Sequence, residues 1–232
     1  MRRVLPEPAG STNPDELAAG TRRRIGPRPW VGLCMVVSLD GTTVVDGRSG
    51  GLSTANDAAL LGALRRAADV VLVGAGTVRG EGYGRPKRRG LRIGVVTATG
   101  AVDVTSDLFE SGSGFLVMPE DGPPAPPGRR RAVDIVRAGT GRVDVALALA
   151  RLDQVMAPPV FAQVEGGPRL NATLLDAGCV DELNLTISPV LAGGRGPRLT
   201  AGADAALVGY DLVHLATDDE SFLYGRWHRR RL

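Results

Sequence analysis

A chain of 232 residues is long enough for a sizeable buried core, and 43% hydrophobic against 23% charged residues is the balance of a soluble globular protein. Aromatic residues at 4% exclude a base-stacking surface for single-stranded nucleic acid, and no apolar run reaches the roughly 18 residues of a membrane span. The net charge of +3 is gathered in basic runs at 22–24, 85–89, 129–131 and 229–231, which suits a rim that steers an anionic small molecule better than a nucleic-acid footprint.

Residues 1–28 are polar, rich in proline and arginine and aperiodic, and read as a mobile tail. Their start, MRRVLPEPAGSTNPDEL, lacks the apolar core of a signal peptide, so the chain is expected in the cytoplasm. Order begins with a nearly continuous apolar run over 31–38, as in a strand covered on both faces. It ends in SLDG, where Ser38 and Asp40 form either a plain turn or a substrate-facing hydroxyl and carboxylate. A glycine-rich loop follows (Gly41, Gly47, Gly50, Gly51), then a helix in STANDAALLGALRRAAD, capped by Ser53 or Thr54. Asp57 stands three residues after Thr54. It either closes a capping box or faces the strand-end crevice and hydrogen-bonds a heterocycle.

DVVLVG is the next buried strand, and a GAGT turn follows it. Gly74 and Gly76 begin a dinucleotide fingerprint, but Arg79 occupies its third glycine position, so a Rossmann site is not expected; Thr77 remains a hydroxyl donor for a phosphate. Strands at 91–97 and 114–118, a Pro-rich surface loop at 119–128, a strand at 132–138 and a helix over roughly 143–156 come next. The apolar run 159–164 then ends in Glu165, Gly166, Gly167 and Pro168, at which a helix starts. Strand, glycine turn and helix N-terminus together bind phosphate: free N–H groups point outward, the helix dipole adds positive charge, and glycines admit a pyrophosphate to the backbone. A carboxylate at that strand end is costly to bury without a polar contact, which marks Glu165 as a ligand-facing residue. Alternation over 181–191 suits a strand with one buried face, and 206–217 with 221–228 read as an antiparallel pair. The pattern is an α/β fold with a mostly parallel sheet and an antiparallel edge.

Cys34 and Cys179 lack metal-ligand spacing and read as reduced buried thiols, and with only His214 and His228 no metal site is expected. There is no G-x-S-x-G nucleophile elbow, and no H-x-E with P-C-x-x-C for zinc deaminase chemistry.

MVVSLDG, DGRSGG, LRRAADVVLVGAGTV and VEGGPRLNATLLDAGCVDELNLTISPVLAGG, in that order and spacing, resemble the reductase domain of the bifunctional riboflavin-biosynthesis deaminase/reductase, over roughly residues 29–228. The resemblance implies a dihydrofolate-reductase-like fold, with a mostly parallel central sheet, helices on both faces and an antiparallel C-terminal strand pair. It implies a single reductase domain over 29–232, standing alone without a deaminase domain, and a homodimer. The implied reaction reduces 5-amino-6-(5-phosphoribosylamino)uracil, a phosphorylated heterocycle, with NADPH. The cofactor would contact Val36, Leu52, Gly76, Thr77, Glu81, Thr97, Gly166, Gly167, Pro168, Arg169, Leu170 and Asn171. The substrate would lie near Ser49, Arg85, Arg88 and Glu165; Ser38, Asp40 and Asp57, from the reading of the residues above, complete the candidate substrate site, and Glu165 and Asp57 are the candidate catalytic residues. The family's T-S-x-x-A-R stretch is here STANDAA, which places Asp57 early in the first helix. Dihydrofolate reductases hold a pteridine ring with such an acid, so a pterin-like substrate is the alternative; a nucleotide-binding regulatory domain without turnover is a third reading.

Overall fold

Short runs of β-branched and aliphatic residues, too apolar for a wet face, build the centre of one sheet. The computed structural model describes residues 1–124, 126–128, 131–204 and 206–230; the basic runs at 129–131 and 229–231 and the loop at 119–128 therefore lie partly outside the described residues. The elements are β1 (Arg2–Leu5), β2 (Gly10–Ser11), α1 (Pro14–Ala18), β3 (Trp30–Val37), α2 (Ala55–Ala67), β4 (Val70–Gly74), α3 (Ala75–Glu81), β5 (Arg92–Val96) and α4 (Asp107–Glu110). There follow β6 (Gly114–Met118), β7 (Ile135–Arg137), α5 (Val145–Ala150), β8 (Phe161–Val164), α6 (Pro168–Asp176), β9 (Glu182–Ile187), β10 (Tyr210–Thr217) and β11 (Leu223–Arg229).

Among the described residues all strands join one sheet in the order β2-β1-β10-β11-β9-β3-β8-β4-β5-β6-β7. From β9 to β7 neighbours run parallel; β11, β10, β1 and β2 continue the sheet antiparallel. This is the mostly parallel α/β architecture with an antiparallel C-terminal pair that the sequence predicts. Alternation along β4 splits the core. Val70 and Leu72 pack towards α5 and α6, with Leu149, Leu170 and Leu174. Val71 and Val73 pack the other way, with Ile93, Leu108 and Phe109. On β8, Ala162 and Val164 join the α6 side, so Gln163 and Glu165 point towards α2. There Leu60, Ala63 and Leu64 of α2 meet Leu17 of α1 and Tyr224 of β11.

Residues 1–28 differ from the expected mobile tail. β1 pairs with β10, and three arginines of the segment bond to residues in the body of the fold. Arg22 donates from Nε and Nη2 to Glu182 at 3.0 and 2.7 Å, Arg28 to Asp181 at 2.6 and 3.0 Å, and Arg24 to the Pro159 carbonyl at 2.9 Å. Composition shows the charge but not the carboxylates waiting at the start of β9. Smaller differences have local causes. The turn after β4 winds directly into α3, and Gly82, at φ +70°, ends that helix. The helix expected over 143–156 is capped by Asp144, which accepts from Leu147 N at 3.0 Å, and gives way after Ala150 to a 3₁₀ turn over Leu152–Gln154.

Candidate functional site

Parallel strands that end side by side leave their carboxyl ends facing a common crevice. Here the ends of β3, β4, β5 and β8 and the loop over 43–49 line a crevice of about 1580 Å³. The helices following β4 and β8 start there, so two sets of unpaired N–H groups aim at one space.

The two turns are packed on one another. Gly74 N donates to the Gly166 carbonyl at 2.7 Å. A Cβ at Gly167 would lie 2.8 Å from Thr77 Oγ1, one at Gly74 3.2 Å from Gly167 N, and one at Gly166, whose φ is +81°, 2.9 Å from Met35 Sδ. The Gly166–Gly167 peptide is cis. Part of the reason for two adjacent glycines is therefore the neighbouring turn. Gly76 differs: a Cβ there would meet nothing within 4 Å, and the residue lines the crevice. Pro168 takes the first position of α6, where no N–H is needed, and Arg169, with Arg79 and Arg142, puts an exposed guanidinium on the rim.

Glu165 is only 7% exposed and lines the crevice, but its oxygens are already taken. Arg65 of α2 grips it with Nε to Oε1 at 2.6 Å and Nη2 to Oε2 at 2.5 Å; Gln163 Nε2 donates to Oε1 at 2.8 Å and the Tyr83 hydroxyl to Oε2 at 2.6 Å. Burial works against the charged Arg65, yet the hydrogen bond and charge of Glu165 outweigh it and raise its pKa. Arg65, Tyr83 and Gln163 escape a reading of the sequence. Gln163 alone leaves a trace there, as a polar residue two before Glu165 in an otherwise apolar strand, and hence on the same face.

Asp57 lines the crevice and is half-buried; the Ser53 hydroxyl donates to its Oδ2 at 2.6 Å. The helix cap is a separate bond, from Asp57 N to Thr54 Oγ1 at 3.3 Å. The side chain is thus not spent on the cap. Val36, Ser49, Gly76, Thr77, Glu81, Thr97, Gly167, Pro168, Arg169 and Leu170 also line the crevice. Glu81 accepts from Ser49 N at 2.8 Å and so latches the glycine loop to the end of α3.

Other expected residues lie off the crevice surface. Ser38 donates to Asp40 at 2.6 Å, and Asp40 accepts from Ala192 N and Gly193 N at 3.0 and 2.9 Å. The Ser38 and backbone hydrogen bonds hold the Asp40 carboxyl at about 2, and the pair staples two loops. Arg88 Nη1 caps α2 by donating to the carbonyls of Arg66 and Ala68, both at 2.7 Å, while Arg85 is exposed beside Asp107. Leu52 is 1% exposed, Gly166 lies beneath the turn, and Asn171 is buried with its amide on the Leu199 carbonyl at 2.7 Å.

The model of the family described as RibD C-terminal domain matches residues 29–224. A protein from Methanothermobacter thermautotrophicus named 2,5-diamino-6-ribosylamino-4(3H)-pyrimidinone 5′-phosphate reductase is 32% identical over 183 residues, 74% of this chain and 82% of that protein. The crystal structure of a pyrimidine reductase-like protein from Corynebacterium diphtheriae, 22% identical, superposes with a TM-score of 0.78 over 95% of this chain and 100% of that one. A dihydrofolate reductase from Enterococcus faecalis, complexed with NADP(H), is 16% identical, with a TM-score of 0.53 over 87% and 96% of the two chains. These last two share the fold.

Proposed function

This chain belongs to the RibD C-terminal domain family, and we propose that it is an NADPH-dependent reductase of a 6-ribosylaminopyrimidine 5′-phosphate whose ring carries a 2-amino group. The observation that carries the substrate reading is Asp57, a carboxylate that lines the crevice and keeps acceptor capacity beyond its bond from Ser53. A carboxylate only accepts. The 2-amino and N3–H groups of a 2-amino-4-oxopyrimidine are two adjacent donors, which a carboxylate pairs well. On the same edge the uracil ring of 5-amino-6-(5-phosphoribosylamino)uracil presents one N–H between two carbonyls, and so offers a carboxylate one donor where the 2-amino ring offers two. The name of the Methanothermobacter relative supports the same choice.

The residues present fit the cofactor. Gly76 leaves open space where a Cβ would stand, and the free N–H groups at the starts of α3 and α6 face the same crevice. NADPH when bound supplies the hydride; the chain's part is position and charge. Gly76, Thr77 and the 167–170 turn would hold its phosphates. Arg65 keeps Glu165 in place rather than leaving it free to move protons. Assembly as a homodimer is part of this proposal, and sedimentation at monomer mass would remove that part.

The test is NADPH oxidation by purified protein with the diamino ribotide, the uracil ribotide and dihydrofolate. The diamino ribotide is expected to be the best substrate. Asp57→Asn is expected to lower its kcat/KM by about tenfold to a hundredfold, the loss of a charge-assisted hydrogen bond. Stability is expected to change by less than about 1 kcal/mol, because the Thr54 cap is untouched. Faster turnover of dihydrofolate would move the reading to a pterin substrate. NADPH binding without oxidation of any of the three would leave a regulatory module.

A further inference from the structure

Of the guanidiniums on the rim of the crevice, that of Arg79 is spent: its Nη1 donates to the Ala101 carbonyl at 2.8 Å. Arg142 and Arg169 are exposed, line the same crevice and have no side-chain hydrogen bond or ion pair among the described residues. Sheet order separates their places. Arg169 follows β8, at the second position of α6. Arg142 follows β7, four strands on from β8, or roughly 19 Å across the sheet. The loop that carries Arg142 is fixed on both sides. Gly141 N donates to Asp121 Oδ1 at 2.8 Å, Asp144 N to the Ala138 carbonyl at 3.1 Å, and Val143 packs against the core on the α6 side.

We propose that Arg142 makes this protein select NADPH over NADH, by pairing with the 2′-phosphate on the adenosine of the cofactor. This rests on the cofactor reading given above. A dinucleotide whose diphosphate lies at the starts of α3 and α6 sends its two halves to opposite ends of the crevice. The nicotinamide half must meet the substrate, which places it at the end marked by Asp57 and the 43–49 loop. The adenosine half takes the other end, where Thr97, Ala98, Thr99 and residues 142–145 form the wall. NADPH and NADH differ only there, by a phosphate monoester of roughly −1.5 to −2 charge in place of a hydroxyl. A guanidinium meets such a group with paired N–H donors and full charge, whereas a hydroxyl offers it one neutral acceptor. The acids of this flank are placed elsewhere. Asp144 caps α5 by accepting from Leu147 N at 3.0 Å, and Asp176 stands seven residues after Arg169 on α6, roughly 10 Å along its axis. Arg169, at the helix start, addresses the diphosphate that both cofactors carry.

The test compares Arg142→Ala with Arg169→Ala. Calorimetry with adenosine 2′,5′-bisphosphate and with adenosine 5′-monophosphate isolates the 2′-phosphate without turnover. Wild type is expected to bind the bisphosphate about tenfold more tightly, one charge-assisted hydrogen bond discounted for its exposure to solvent, and added salt should narrow the gap. Arg142→Ala is expected to bring the two ligands level. In steady-state reduction of the diamino ribotide it should cut the ratio of kcat/KM for NADPH to that for NADH about tenfold. Arg169→Ala is expected to weaken both ligands by the same factor and leave the ratio alone. A preference that survives Arg142→Ala overturns the assignment, and so does one that Arg169→Ala abolishes instead. Should Arg142→Ala fail to fold, Arg142→Gln, which removes the charge and keeps most of the stem, decides by the same ratio. A wild type that binds the two adenosine ligands equally and prefers NADH overturns the NADPH reading itself, and Arg142's role with it.

Discussion

Replacing Arg22 with leucine removes one half of an ion pair whose side chains are 5% and 1% exposed. Glu182 would keep Trp30 Nε1 at 3.2 Å and Asn184 Nδ2 at 2.9 Å, with His228 Nε2 at 3.5 Å, but would lose the guanidinium fork. Burial by itself would raise the Glu182 pKa; the hydrogen bonds from His228 and Arg22 reverse that and hold it at about 2 against an ordinary 4.5. Such a depression corresponds to roughly 3 kcal/mol of folding free energy, and breaking one side of a buried pair costs about 3–5 kcal/mol. Because His228 and Asn184 share the depression, the first figure is an upper bound for Arg22; the broken buried pair sets the expected loss at about 3 kcal/mol, measured by urea unfolding at neutral pH. Because the folded pKa lies below the unfolded one, this stability is fully present above pH 4.5 and fades as pH falls towards 2. The gap between wild type and variant should narrow over that window. NADPH affinity should stay unchanged, since Trp30 opens β3 at the end away from the crevice, and its eight residues span roughly 25 Å. The exposed Arg66–Asp15 pair, with side chains 57% and 73% exposed, is the internal control, and breaking it should cost less than about 1 kcal/mol. An Arg22→Leu loss as small as the control's would refute the claim that the N-terminal segment is locked to the fold by this pair.

Gly76→Ala should hold or raise thermal stability, because it places a methyl in open space early in α3 and alanine favours helix by about 1 kcal/mol. NADPH affinity should fall about tenfold, as expected when a group obstructs close approach to the backbone; unchanged affinity in a calorimeter would remove the phosphate reading of this turn. His214 is buried with Nε2 unpartnered, and burial lowers its pKa, with Arg226 and Arg3 adding to the effect and Glu16 opposing it. Its folded pKa is therefore below the unfolded value. Stability should be full above about pH 6.5 and decline as pH falls below it, and His214→Leu should flatten that slope in thermal melts between pH 7 and 5.

The strands and helices that frame the crevice were legible because each carries its reason locally. A fully apolar run such as 31–37 must be covered on both faces, and Thr54 followed by spaced leucines starts an amphipathic helix whatever packs against it. The Glu-Gly-Gly-Pro turn announced a helix N-terminus at a strand end for the same local reasons. The crevice residues found early, among them Asp57, Thr77, Gly167 and Pro168, lie within or beside such signals. Ser38, Asp40, Arg85 and Arg88 carry equally suggestive chemistry, yet their partners are Ala192, Gly193, Asp107 and the end of α2. The hydrogen bonds that bring Arg65 and Tyr83 to Glu165 span 100 and 82 residues, and the one from Arg22 to Glu182 spans 160. Local pattern decides where a strand ends and a helix begins, because those depend on neighbours three or four residues away. Which buried charge meets which depends on strand order and on the direction each side chain leaves the sheet, and only the folded chain supplies these.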